Sequence, residues 1–201
     1  MKTTTLPTSI IKIILVSTCI GYGFNVKAIA IIKEKTNKIL VKEDPKAAIN
    51  TIIKFLQWYK VNLHKTNNFS ILKKDSKGNF MIDKLACTAY LNFLKSRNCL
   101  SEKYIHYWQT FFDEKADDLK KNHVQSDIPE GFDEDFVLIT QEPDLVLQQI
   151  NRMKFKTISI NRSAALINVK LTGGGAIEYE IEMYKEKNGW QIGYISFPNY
   201  D

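Results

Sequence analysis

The sequence predicts an α+β fold: three N-terminal helices packed on an antiparallel sheet of about four strands. Three observations predict it. Apolar residues recur at three- and four-residue steps in three segments between 44 and 121, the chain turns to short β-prone runs after about residue 122, and turn-forming residues separate those runs. The clearest strand is near 176 to 185, where Ile177, Tyr179, Ile181 and Met183 alternate with Glu178, Glu180 and Glu182. One face of that sheet is therefore apolar and the other wet, and helices that precede such a sheet pack on its apolar face.

Residues 1 to 30 have the three parts of a secretory signal. Lys2 lies near the start, an apolar run extends from Ile13 to Phe24, and small residues stand at Ala28 and Ala30. Cleavage after Ala30 is expected, because the run is too short and too interrupted for a spanning helix, which takes roughly twenty apolar residues. Val16-Ser17-Thr18-Cys19 offers a minor alternative as a lipoprotein box, in which Cys19 is acylated. The expected location is periplasmic or secreted, with no membrane span in the mature chain.

Export changes the arithmetic of the chain. The 201 residues carry 28 Lys and Arg against 22 Asp and Glu, a net charge of +6 that invites a nucleic-acid reading. Lys2, Lys12 and Lys27 fall in the first thirty residues, which hold no acid, so the remaining 171 residues carry 25 bases against 22 acids. A net of +3 with no basic stripe among aromatics argues against nucleic acid as a partner.

Residues 31 to 43 mix Lys with Ile, Leu and Val without a helical period and read as a tether. A single α+β domain is expected over 44 to 201. Asp44-Pro45 opens a helix of about 46 to 64, since the Asp oxygen accepts from free N–H groups and Pro costs no bond there. Ile49, Ile52, Ile53, Leu56, Tyr59 and Leu63 form its apolar face. Asp75-Ser76-Lys77-Gly78 reads as a turn between two short strands. Asp83 caps a second helix lined by Ala86, Ala89, Tyr90, Phe93 and Leu94 up to Arg97. Ser101 caps a third, with Tyr104, Trp108, Phe111, Phe112 and Leu119 on one stripe and Lys120-Lys121 at its negative end.

A polar acidic loop follows, with Asp127, Glu130, Asp133, Glu134 and Asp135 read as solvated. Phe136 to Thr140 is apolar and β-prone, and Asp144 to Ile150 suits a short helix. Turns at Asn161-Arg162, Gly173-Gly174-Gly175 and Asn188-Gly189 then separate four strands, roughly 153 to 160, 164 to 172, 176 to 185 and 189 to 197. The glutamates of the third strand are expected to pair with Lys154, Lys156 or Lys170 on neighbouring strands.

Three stretches carry a resemblance: Ile53-Lys54-Phe55-Leu56-Gln57-Trp58-Tyr59, the segment from Asp133 to Glu142, and Gly189-Trp190-Gln191-Ile192-Gly193-Tyr194-Ile195. With the order of elements, they resemble the nuclear-transport-factor-2-like, cystatin-like cone superfamily, and within it an exported bacterial domain-of-unknown-function family. The resemblance covers about 44 to 198 and implies a strongly bent sheet wrapped over the first helix, enclosing a conical pocket. It also implies that Asp135 and Gln141 sit at a junction that either binds something or cross-links the loop to the sheet. Related folds host enzymes and binding modules alike, so fold does not decide function.

The residues themselves offer little catalytic spacing. His64, His106 and His123 lie far apart without HExxH or paired cysteines, so no metal and no cofactor is expected. His106 falls off the apolar stripe of the third helix and reads as a surface residue. Cys87 and Cys99 lie on and just beyond the second helix. At about 1.5 Å of rise per residue they exceed the roughly 7 Å a disulfide spans, unless that helix ends early. Aromatic walls suit a small apolar ligand, which makes Trp58, Tyr59, Tyr104, Trp108, Tyr179 and Trp190, with Asp135 and Gln141, the candidate pocket residues. The same aromatics equally suit a plain core.

The expected function is a non-enzymatic exported domain that binds an envelope partner protein or a small apolar ligand, one version being an immunity or inhibitor protein. The competing class is an enzyme using the cone pocket, with a carboxylate or His such as Asp135 or His106 as base. A buried ionisable group in a pocket separates these from a filled cone with an exposed apolar patch.

Overall fold

A computed structural model of the chain describes residues 44 to 172 and 177 to 198. The predicted signal segment at 1 to 30, the tether at 31 to 43 and the Gly173-Gly174-Gly175 turn lie outside the described residues. The elements run α1 (Lys46–Thr66), β1 (Leu72–Lys74), β2 (Phe80–Ile82), α2 (Lys84–Lys95), α3 (Glu102–Asn122) and α4 (Pro143–Gln148). A 3-10 turn (Ile150–Arg152) leads into β3 (Lys154–Ile160), β4 (Ala164–Lys170), β5 (Glu178–Glu186) and β6 (Gly189–Ser196). The fold is α+β, with a four-stranded antiparallel sheet in the order β3-β4-β5-β6 and a separate β1-β2 hairpin.

Helices α1, α2 and α3 each start where a short polar side chain takes free N–H groups. Asp44 Oδ1 accepts from Lys46 N at 2.9 Å ahead of α1. Asp83 Oδ1 accepts from Leu85 N and Ala86 N ahead of α2, and Ser101 Oγ accepts from Tyr104 N ahead of α3. On α1 the fully buried stripe is Ala48, Ile52, Phe55, Leu56, Tyr59 and Leu63, with Ile49 and Ile53 half-buried beside it. The buried face of α2 is Cys87, Tyr90, Leu91 and Leu94; Ala89 points to solvent and Ala86 is half-buried, contrary to the predicted stripe. That helix also stops at Lys95, short of Arg97, because Ser96 Oγ turns back onto the Phe93 carbonyl and Asn98 takes a left-handed φ of 55°. Cys87 and Cys99 are both buried and unbridged.

The inner face of the sheet is built from Ala165, Ile167 and Val169 on β4, Tyr179, Ile181 and Met183 on β5, and Trp190, Ile192 and Ile195 on β6. Two strands carry an extra residue. Ile158 is unpaired between Thr157 and Ser159 on β3, and Gly193 is unpaired between Ile192 and Tyr194 on β6. The Tyr184 ring lies over Gly193 so closely that a Cβ there would meet it at 2.2 Å. The β6 edge is covered by residues 99 to 101, with Ser101 N donating to Ile192 O and Ile192 N donating to Cys99 O.

The predicted glutamate row pairs differently from expectation. Lys170 faces Glu178, with 3.7 Å between Nζ and Oε2, but Glu182 binds Lys103 of α3 at 3.2 Å and not a sheet lysine. Lys154 and Lys156 sit opposite Lys170 and Asn168 on β4. Because β4 separates β3 from β5, neither lysine faces the glutamates.

Candidate functional site

Residues 136 to 140 do not form the expected strand. Asp135 N donates to Thr140 O at 2.9 Å and Ile139 N donates to Asp135 O at 2.8 Å, closing residues 135 to 140 into a tight turn. The Asp135 side chain outcompetes strand pairing: Oδ1 accepts from Val137 N at 3.0 Å and from Leu138 N at 2.7 Å, the local bonding typical of Asp in turns. Ile139 is held at φ 51°, a left-handed conformation that disfavours a β-branched side chain.

Two tyrosines from other elements tie this turn down. Tyr59 of α1 donates its hydroxyl to Asp135 Oδ2 at 2.5 Å, and Tyr179 of β5 donates to the Leu138 carbonyl at 2.8 Å. Asp135 is thus fixed between helix and sheet: it caps and cross-links the loop, one of the two alternatives expected for it, and is not solvated like an ordinary loop carboxylate. Burial holds its carboxyl above the ordinary range, against the opposing pull of Tyr59, Leu138 N and Val137 N. Burial also raises Tyr59 well above its ordinary value, with Tyr90 and the Asp135 charge adding to the effect.

Phe136, next in the chain, is a hub of rings. Its ring lies 5.2 Å from Phe112, 5.4 Å from Trp108, 5.7 Å from Phe132 and 5.8 Å from Tyr90. Edge-on pairs of this kind each add a fraction of a kcal/mol to about 1.5 kcal/mol beyond area burial.

Glu134, Asp135 and Phe136 form a wall shared by two clefts. The first, about 250 Å³, lies between the end of α1 and this loop, and Phe69, Ile71, Tyr90 and Phe132 line it with Thr66 and Asn67. The second, about 220 Å³, lies between α3 and β6 and is lined by Tyr107, Trp108, Phe111, Ile139, Tyr194 and Ile195. This explains why Trp108 and Phe111 are only half-buried on an otherwise apolar stripe. A third, more polar cleft of about 240 Å³ shares Asn67 with the first and adds Thr140 and Gln141.

Of the predicted pocket residues, the fold brings Tyr59, Asp135, Trp108 and Gln141 to this region. Gln141 is exposed and donates Nε2 to Asp133 Oδ2 at 3.1 Å. Tyr104 is buried on α3. Trp58 packs on Phe55 and Phe93 away from these clefts. Trp190 is core, with Lys185 Nζ 5.7 Å from its ring, and Tyr179 stacks on Phe197 while anchoring the turn. His106 is exposed on α3. Sequence reasoning missed Glu134 and Phe136 as site residues, Glu134 being visible only as one acid in a loop. Tyr90 and Phe111 belong to the aromatic content that suggests a pocket, and both line these clefts.

No family model, curated protein or solved structure matches the chain. Among the described residues, no group of three or more His, Cys, Asp or Glu is placed to hold a metal ion, and no helix is long and apolar enough to cross a membrane.

Proposed function

We propose that this is an exported, cone-type domain that binds a small, largely apolar ligand beside Asp135. The observation that carries the reading is the half-buried Asp135 carboxylate, clamped by Tyr59 where two aromatic-walled clefts meet. Clefts of a few hundred Å³ with apolar walls and a few fixed polar groups suit small-molecule binding. Helices α1 and α3 both pack against β6, and the extra residues Ile158 and Gly193 bend their strands. Both features support a bent sheet and the cone likeness. Export rests on the three-part pattern of residues 1 to 30.

Small-ligand binding is favoured over a protein partner because the large exposed apolar side chains fall on different elements. Val61 is on α1, Met81 on β2, Leu85 on α2, Leu145 on α4 and Ile158 on β3, a scatter ordinary for a protein surface. An enzymatic reading, with Asp135 as base, draws on its raised pKa. Against it, both Asp135 oxygens already accept hydrogen bonds from Tyr59, Val137 and Leu138.

Native mass spectrometry of the full chain recovered from its own cells tests the reading. The expected result is a retained small molecule that is lost in Ser70→Trp, which fills the first cleft from its exposed rim without touching the core. A protein free of any retained mass, with Met1 still at its N-terminus, would contradict both ligand and export.

A further inference from the structure

The first cleft has a chemistry that narrows the ligand class. Three consecutive carboxylates, Asp133, Glu134 and Asp135, meet at the loop between the first and third clefts. The ion pairs among the described residues involve Lys73, Lys84, Lys95, Lys103 and Lys170, and none of them reaches these three acids. Among the described residues, the side chain that binds Asp133 is the neutral amide of Gln141. This corner of the molecule therefore carries uncompensated negative charge next to apolar walls.

A second observation is independent of the acids. Tyr90 is 2% exposed and lines the same cleft, and among the described residues its hydroxyl makes no hydrogen bond of ordinary geometry. The Tyr59 hydroxyl lies close enough to act on it as a hydrogen-bond neighbour and the Asp135 charge acts on it as well, but Tyr59 directs its hydrogen to Asp135 and so does not satisfy the Tyr90 oxygen. A buried polar group left without a partner costs about 1–3 kcal/mol. The Tyr90 oxygen has lone pairs that accept from an N–H group.

The walls complete the pattern. Phe69, Tyr90, Phe132 and Phe136 present rings to the cleft, and ring faces attract organic cations. With no cluster of metal-ligating side chains among the described residues, the fit is to an organic cation and not to a bare metal ion.

We propose that the cleft between Thr66–Leu72 and Phe132–Phe136 binds a small protonated amine with an apolar body, its ammonium at Glu134 and Asp135 and its body against the rings. This rests on the ligand-binding reading above and specifies the ligand's charge. Burial and the neighbouring Asp133 and Asp135 charges raise the Glu134 carboxyl above its ordinary range, and an ammonium relieves both effects.

The test compares two probes of one shape, 2-phenylethylamine and 2-phenylethanol, titrated into the full chain at neutral pH with NMR detection. The amine is expected to bind about tenfold more tightly than the alcohol. Glu134→Gln, at a half-buried position, is expected to erase that preference, lowering the amine's affinity about tenfold. Asn67→Lys, at the exposed rim, is expected to weaken the amine selectively. If the alcohol binds as tightly as the amine, or Glu134→Gln leaves the amine's affinity unchanged, the cation inference is overturned while the ligand site stands. If neither probe gives saturable shifts at the cleft, both readings fall.

Discussion

Tyr59 and Asp135, 76 positions apart, are joined by a 2.5 Å hydrogen bond that fixes a loop carboxylate against the first helix. Tyr59 has no exposed surface, so removing its hydroxyl leaves a desolvated carboxylate oxygen short of a donor. Tyr59→Phe is expected to destabilise the fold by about 1–3 kcal/mol and to raise the Asp135 carboxyl further. Denaturant unfolding measures the first effect and carboxyl NMR titration the second; an unchanged carboxyl titration would show that the bond is absent in solution.

The same carboxylate sets a pH dependence of unusual sign. Burial raises the folded-state pKa of Asp135 above its ordinary 3.8, so the folded state holds the proton more tightly than the unfolded state. Its contribution to stability therefore grows as pH falls through the folded pKa and levels off below 3.8. Asp75, Asp83 and Asp113 are held below 3.8 by their hydrogen bonds, and their stabilisation is lost at lower pH. Between about pH 7 and pH 4, the wild-type chain is expected to gain stability relative to Asp135→Asn. A relative loss over that window, measured by urea midpoints, contradicts the burial of Asp135.

Gly193 and Tyr184 give a packing test. A Cβ at 193 would meet the Tyr184 ring at 2.2 Å, and that ring also takes part in the Lys103 and Glu182 cluster through its hydroxyl. Gly193→Ala is expected to cost about 1–3 kcal/mol. In a Tyr184→Ala background the same substitution has no ring to strike, and its cost is expected to fall well below that value. Equal costs in both backgrounds would mean that the ring does not lie over the bulge.

Cys87 is 1% exposed and burial pushes its thiol up to about 11. The thiolate is the reactive form, so iodoacetamide at about pH 8 is expected to label Cys87 only as the protein unfolds. Rapid labelling without denaturant, read by mass spectrometry, would contradict the placement of this thiol in the core.

The elements that sequence reasoning located correctly are those with a local cause. Asp83 and Ser101 cap their helices through neighbouring N–H groups, and the alternation from Ile177 to Met183 places Tyr179, Ile181 and Met183 in the core. Phe136 to Thr140 was misread because its composition is β-prone while the Asp135 side chain captures the amides a strand needs. Glu182 was misread because its partner Lys103 comes from a helix 79 positions away. The site was legible in Asp135 and in the aromatic content. Its assembly was not, because the wall of Glu134, Asp135 and Phe136 acquires its meaning only when α1, α2 and α3 bring Tyr59, Tyr90 and Trp108 to it.

The most direct test of a ligand site at Asp135 is an amide chemical-shift map of the full chain titrated with 2-phenylethylamine and with 2-phenylethanol. The account predicts saturable shifts at residues 66 to 72 and 132 to 136 with at least one probe. Saturable shifts elsewhere in the molecule, or none with either probe, would contradict it.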